Sequence, residues 1–297
     1  VKTDSGLSDP LIAIVGPTAS GKTALALQIA QRCNGEIICA DSRTIYRGMD
    51  IGTAKPTEEE QALVPHHLLS QIEPNQPYSA AEFKEAALKA IADIRGRNRL
   101  PLLVGGTGLY LNAVLYDYRF PVGPSSALRR QLQGLPLTDL AARLQQVDPE
   151  RAAEVDLHNS RRVIRAIETA GQPRLAPKTL PPSILIIGLN PGLPELEQRI
   201  AVRTRQMLIG GLIEEVQALL ARFDPVIEPL RTVGYAETIA HLHEEITAVE
   251  LEAQINLHTR QLAKRQITWF KRNPDINWVE TSSQALNLAD SFLAKAV

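Results

Sequence analysis

Residues 12–26 read IAIVGPTASGKTALA, and within them Gly16, Gly21, Lys22 and Thr23 stand at the GxxxxGK[ST] spacing of a phosphate-binding loop. The five residues before the loop, LIAIV at 11–15, form a short apolar run that predicts a buried strand. Residues 24–32 repeat Leu25, Ala26, Ile29 and Ala30 at helical spacing. Strand, glycine-rich turn and helix in that order aim bare backbone amides at one anion, from Gly16 through Pro17, Thr18, Ala19 and Ser20 to Gly21. The Lys22 ammonium is placed to neutralise charge and the Thr23 hydroxyl to meet Mg²⁺. The competing reading is a plain strand-to-helix turn that binds nothing.

Outward from this loop, three further apolar runs lack polar alternation: EIICA at 36–40, PLLVG at 101–105 and ILIIGL at 184–189. Such runs suit parallel strands covered on both faces. Between them lies a helix opened by Ser79 and Glu82 as a capping box, with Phe83, Ala87, Ala90, Ile91 and Ile94 facing inward and a stop at Gly96. The fold class is therefore α/β, a P-loop-type parallel sheet flanked by helices. The alternation breaks from 123 to 179, between PVGPSS and the proline-rich QPRLAPKTLPPS. There Leu140, Leu144 and Val147 share a face, Asp148 and Pro149 open a helix, and Asn159 caps another ending at Gly171. This predicts an all-helical insertion at 123–179, with the α/β core formed by 1–122 and 180–297. The core closes with a long helix from 248 to 273 opened by Thr247 and Glu250.

Of the 297 residues 44% are hydrophobic and 22% charged, and the formal charge of −1 excludes a uniformly basic coat for nucleic acid while allowing local basic surfaces. No run is long enough to span a membrane, and VKTDSGLSDP carries no apolar signal-peptide core, so a cytoplasmic protein with no membrane partner is expected. Cys33 and Cys39 suit small hydrophobes at a helix end and in the next strand. Neither His66 with His67 nor His241 with His243 has the i, i+4 spacing of metal ligands, so no metal site made of protein ligands is expected.

Chemistry concentrates after the second strand, in CADSRTIYRGMDIGTAKP at 39–56. Asp41 emerges at the carboxyl end of a strand near the phosphate loop, where open α/β sheets bind ligands. It is either a general base or a loop carboxylate capping a turn. Arg43, Arg47 and Lys55 serve phosphates or face solvent. In LVGGTGLYL at 103–111, Gly105, Gly106 and Thr107 reach the same sheet edge, and glycine there allows close backbone approach. Neither this strand nor 184–189 ends in an acid that could act as the Walker B carboxylate of an ATPase. Two basic helices remain. In NSRRVIRAIE at 159–168, Arg161, Arg162 and Arg165 project to one arc and Val163, Ile167 and Ala170 to the other. The segment 258–273 has five basic residues and no acid, with Leu262, Trp269 and Phe270 opposite them. Each is a polyanion surface or a solvated face.

GPTASGKTALA, DSRTIYRGMDIGTAKP, YSAAEF, PLLVGGTGLYL, NSRRVIRAIE, TVGY and RQLAKRQITW occur in this order. Together they resemble the bacterial tRNA dimethylallyltransferases, also called tRNA isopentenyltransferases, from about residue 11 to 280. Thr44 stands where members often carry Gln. The resemblance implies transfer of a dimethylallyl group from dimethylallyl diphosphate to the exocyclic amine of the adenosine 3′ of the tRNA anticodon, with Mg²⁺. It implies that residues 16–23 and Arg203 hold the diphosphate, that Thr23 meets the metal, and that Lys22, Asp41 and Thr107 serve the reaction, Asp41 as base. Asp41, Ser42, Arg43 and Thr44, then Arg161, Arg162, Val163, Ile164 and Arg165, then Arg231, Thr232, Val233, Gly234 and Tyr235 would contact the anticodon stem-loop. A monomer is expected. The competing readings are an adenylate isopentenyltransferase, a small-molecule kinase, and a nucleic-acid-binding module switched by nucleotide.

Overall fold

All five residues of Leu11–Val15 are buried, and they form the strand β1 at the centre of the sheet. A computed structural model describes residues 9–120, 126–172 and 178–296. Along the chain β1 is followed by α1 (Lys22–Arg32), β2 (Gly35–Cys39), α2 (Glu58–Leu63), β3 (His66–His67), α3 (Ala80–Gly96), β4 (Leu100–Gly105) and α4 (Gly108–Leu115). Next come four helices, α5 (Ser126–Gln133), α6 (Leu137–Val147), α7 (Pro149–Glu154) and α8 (Ser160–Glu168). The chain continues through β5 (Ile184–Leu189), α9 (Leu193–Ile209), α10 (Leu212–Leu220), a 3₁₀ turn at Glu228–Arg231, α11 (Tyr235–Leu242), α12 (Ala248–Phe270), β6 (Ile276–Val279) and α13 (Ser282–Ala296). Two compact units result, residues 118–178 and the remainder, so the first break falls after Asp117 rather than at 122.

In the larger unit the strands lie in the order β3-β2-β4-β1-β5-β6, and every pairing is parallel. The apolar runs bury both faces because side chains alternate across a strand. Leu11, Ala13 and Val15 join Phe83, Ala87, Ile91 and Leu111 on one side, whereas Ile12 and Ile14 join Leu25, Ala26, Ile29 and Ala285 on the other. Phe83 stacks on Tyr110 with ring centroids 4.3 Å apart. The capping boxes at Ser79 with Glu82 and at Thr247 with Glu250 open α3 and α12. Cys33 and Cys39 are free thiols at the end of α1 and in β2.

Two strands escape the sequence reading. In β6 the end residues Ile276 and Val279 are buried and the middle pair, Asn277 and Trp278, is exposed, with Trp278 37% exposed. The other, β3, is two residues long. Its His67 Nε2 lies 2.6 Å from the Glu36 carboxylate, which also takes Arg97 at 2.6 Å and Arg99 at 3.2 Å. Burial pushes Glu36 up, but the hydrogen bonds from Arg97 and His67 outweigh it and hold the carboxyl below its usual range.

A third core fastens the segment after β2. Ile45, Tyr46 and Met49 pack with Leu212, Val216, Tyr235 and Leu251. The Glu215 carboxylate accepts the amides of Asp50, Ile51 and Gly52 at 2.9, 2.7 and 3.0 Å, and the Tyr235 hydroxyl at 2.7 Å. One carboxylate thus satisfies a turn that no strand pairs.

The smaller unit is built from α5–α8 around Leu132, Leu140, Leu144, Ala152, Val163, Ala166 and Ile167. Asp148 and Asn159 cap α7 and α8 through their side chains, with Pro149 in the first turn of α7. Val147, expected on the inner face of α6, is 49% exposed at the helix end, and Ala170 lies beyond the end of α8. The predicted opening and closing loops fall partly on residues 121–125 and 173–177, outside the described residues. No helix among the described residues is long and apolar enough to cross a membrane.

Candidate active site

The chain leaves the neighbouring strands β1 and β4 toward opposite faces of the sheet, since α1 packs in one core and α4 in the other. Such divergence opens a crevice at the carboxyl ends of the two strands. The phosphate loop borders it on one side and Gly105, Gly106 and Thr107 on the other. Gly21 ends the loop with φ 96°, a left-handed conformation that costs glycine little. A Cβ on Gly16 would lie 2.4 Å from the Leu189 carbonyl oxygen, so β5 also confines the loop.

A cavity of about 1050 Å³ opens here, and Thr18, Ala19, Gly21, Lys22, Thr23, Asp41, Thr44 and Arg203 all line it. The sequence reading placed each of them in the site, and the fold brings them together. Half-buried Lys22 donates to the Pro17 carbonyl at 2.6 Å. Loss of solvent pulls its ammonium down to about 8, with Asp41 opposing the shift and Arg203 adding to it. Arg203 donates to Thr18 Oγ1 at 3.0 Å; burial lowers its pKa and Asp41 works the other way. Asp41 lines the cavity, and its Oδ1 accepts the Arg43 amide at 2.8 Å, the contact that the turn-capping reading expects. Ser20 Oγ and Thr44 Oγ1 are buried without hydrogen-bond partners.

Other predicted residues take different positions. Thr107 braces the Asp41 loop, its Oγ1 accepting the Ser42 amide at 3.0 Å. Arg43 forms a two-pronged pair with Glu228 at 2.7 and 3.1 Å. Lys55 is committed to the Tyr46 carbonyl, Asp50 and Ser70 Oγ, and Arg47 to the carbonyls of Ser70 and Gln71, so both hold the loop rather than standing ready for phosphate. Arg231 is exposed, Thr232 and Val233 are half-buried, and Gly234 is buried. Tyr235 has no exposed surface, so its side chain packs in the core rather than presenting to RNA. The same correction applies to Val163, wholly buried in the smaller unit. A helix must turn one stripe inward, and Val163 lies on that stripe.

On α8, Arg161 and Arg162 are exposed, while Ile164 and Arg165 are half-buried. Arg165 lies 3.4 Å from Glu168, whose buried carboxylate also holds Arg129 at 2.6 Å through each oxygen. Burial pushes Glu168 up, but Arg129 and then Arg165 hold it below its usual range. On α12, Phe270 is buried, whereas Trp269 is 40% exposed and lies against Gly108 instead of joining the core.

Among the cavity residues that the sequence did not mark, two bond directly to the phosphate loop. Arg199 donates to the Ser20 carbonyl at 2.7 Å, and its place one helical turn before Arg203 was the available signal. Gln266 accepts the Thr18 amide at 2.8 Å and donates to the Gly106 carbonyl at 3.1 Å. Nothing in the basic run around it marks it. No group of three or more His, Cys, Asp or Glu side chains able to hold a metal exists among the described residues. Thr23 lines the cavity, and a hydroxyl there fits a hard cation that keeps most of its oxygen ligands from a bound anion and water.

Known proteins similar to this chain share one family. The family model described as IPP transferase matches residues 44–273, and that described as isopentenyl transferase matches 10–76. A tRNA dimethylallyltransferase of Synechococcus sp. (strain JA-3-3Ab) is 44% identical, the match covering 93% of this chain and 83% of that one. One from Desulforudis audaxviator is 42% identical over 91% and 92%. Among solved structures, the tRNA isopentenylpyrophosphate transferase of Bacillus halodurans superposes with TM-score 0.74 at 36% identity, covering 97% and 98%. A eukaryotic dimethylallyltransferase acting on tRNA gives TM-score 0.81 at 25% identity, covering 97% and 80%. Sequence and fold agree along nearly the whole chain, and it belongs to the tRNA dimethylallyltransferase family of IPP transferases.

Proposed function

We propose that this protein transfers a dimethylallyl group from dimethylallyl diphosphate to the exocyclic amine of the adenosine 3′ of the anticodon in tRNA, releasing diphosphate. The observation that carries the reading is the single cavity in which the phosphate loop, Arg203 and Asp41 face one another, at the end of a β4 strand that supplies no acid. A loop of this kind without a hydrolytic carboxylate suits a donor whose diphosphate is a leaving group.

The loop amides, Lys22, Arg203 and Arg199 would hold that diphosphate and meet the negative charge it gains as the C–O bond breaks. Bound Mg²⁺, touched by Thr23, would supply further neutralisation of the same oxygens. The adenine amine attacks the allylic carbon, a C–N bond forms, and the nitrogen becomes acidic only then. The Asp41 carboxylate takes the proton, Oδ2 remaining when Oδ1 is occupied by the Arg43 amide. The target base must leave the anticodon stack, a cost of a few kcal/mol that is small in a single-stranded loop. Arg161 and Arg162 on the smaller unit are suited to the RNA backbone, where guanidinium groups position without reading sequence. We further propose that the enzyme acts as a monomer in the cytoplasm.

The test incubates purified protein with Mg²⁺, dimethylallyl diphosphate and either unmodified tRNA or AMP, followed by digestion and mass spectrometry. Prenylated adenosine from tRNA alone is the expected result. Product from AMP alone would reassign the enzyme to free nucleotides, and ATP-dependent phosphorylation of either acceptor would make it a kinase.

A further inference from the structure

The crevice between β1 and β4 separates two loops with different tasks: residues 16–23 on the diphosphate side, and Asp41–Ser42 with Gly106–Thr107 on the acceptor side. One side chain spans it. Gln266, from α12, accepts the Thr18 amide at 2.8 Å and donates to the Gly106 carbonyl at 3.1 Å. The backbone fixes which end of its amide is which, since Thr18 offers only a donor and Gly106 only an acceptor. A Cβ on Gly106 would lie 2.5 Å from Gln266 Nε2, so the bridge occupies the space that glycine leaves. The connection continues beyond Gly106. Thr107 Oγ1 accepts the Ser42 amide at 3.0 Å and donates to Ser42 Oγ at 3.3 Å, next to Asp41.

We propose that Gln266 is a positioning residue for prenyl transfer: its side-chain amide sets the spacing between the loop that holds the leaving diphosphate and the loop that carries the Asp41 base. The inference rests on the prenyl-transfer reading above. In-line displacement between two bound reactants depends steeply on their separation, and a misplacement near 1 Å costs on the order of 10²-fold in rate. Only a neutral amide serves both partners. A carboxylate at this position has no proton for the Gly106 carbonyl and brings negative charge toward the diphosphate. A thioether of similar length fills the space and makes neither bond.

The experiment compares wild type with Gln266→Met and Gln266→Glu in the full chain. It measures single-turnover rates with tRNA and dimethylallyl diphosphate saturating, the Kd for inorganic diphosphate, the Kd for tRNA, and the melting temperature. For Gln266→Met the expected result is a rate reduced about 10- to 100-fold, with both Kd values within threefold and melting near that of wild type. Gln266→Glu loses the same rate and also binds diphosphate more weakly. A double-mutant cycle with Thr107→Val should be non-additive, the double variant being little slower than the worse single one, because both links serve one spacing. A Gln266→Met rate equal to wild type, or a loss confined to the Kd values, overturns the inference, and so does a rate loss accompanied by an equal loss of folded protein. If wild type itself makes no prenylated adenosine, the functional reading fails and takes this one with it. An active wild type with unaffected variants sinks the positioning role alone.

Discussion

The phosphate cavity of the larger unit and the arginine helix of the smaller one use cationic side chains in opposite ways. In the cavity, Lys22 turns inward to the Pro17 carbonyl, Arg203 bonds Thr18, and loss of solvent lowers the pKa of each. On α8, Arg161 and Arg162 stand exposed, and Arg165 leans on a carboxylate that a second arginine already holds. Charge in a confined, partly dry site acts over a short range and strongly, whereas exposed charge is screened by salt within about 10 Å. The two regions should therefore differ in what their loss does: the first should change the rate of chemistry, the second the salt dependence of binding.

The largest expected effect breaks the chemistry and spares the grip. Asp41→Asn should lower single-turnover rates by roughly 10² to 10⁴, the usual worth of a positioned base, with tRNA and diphosphate affinity retained. A loss under tenfold would move the base elsewhere and leave Asp41 as the cap of the Arg43 amide.

Lys22→Ala comes next, with about 10²-fold lost from the maximal rate and weaker donor binding besides, because the ammonium meets charge that grows in the transition state. A rise in the Michaelis constant alone would make the loop a dock. The pH dependence sharpens this. With its pKa lowered to about 8, free Lys22 is charged below that pH and neutral above it, and the diphosphate favours the charged form. Donor affinity taken relative to that of Lys22→Ala, which cancels the titration of the diphosphate itself, should be flat below pH 8 and fall by up to about tenfold per unit above it. Isothermal titration with inorganic diphosphate at several pH values measures it.

The smallest effect belongs to the exposed helix. Replacing Arg161 and Arg162 by Gln should reduce the slope of log tRNA affinity against log salt by about one to two units while diphosphate affinity holds. Arg165→Gln should change the slope less, since Glu168 already competes for that guanidinium. An unchanged slope in the double variant would redirect the search to the basic face of α12. If diphosphate affinity fell in step with tRNA affinity, the contrast between the two regions would itself collapse.

Much of the larger unit was legible because its signals are local. The loop spacing, the all-apolar strands that announce a doubly covered sheet, and the capping boxes at Ser79 and Thr247 depend on neighbours within a few residues. The strands β3 and β6 were not, one being too short and the other too mixed at a sheet edge to differ from loop. In the smaller unit the α8 pattern was readable, yet it could not say that Arg165 has a buried partner, because Glu168 is drawn in by Arg129 from α5.

Sequence alone determined that a phosphate loop joins a buried strand to a helix, that a parallel sheet surrounds it, that Asp41 follows a strand near that loop, and that neither 101–105 nor 184–189 ends in an acid. The tertiary structure decided which side chains share the cavity and which merely support it. Tyr235 passed from candidate contact to core because Glu215 draws its hydroxyl inward, and Lys55 passed from candidate phosphate ligand to brace. Arg199 and Gln266 entered because α9 and α12 pack together and reach the loop. Gln266 meets Thr18 across 248 positions of chain. Local propensity and spacing carry no record of a contact that distant, which exists only once the sheet has brought its strand ends together.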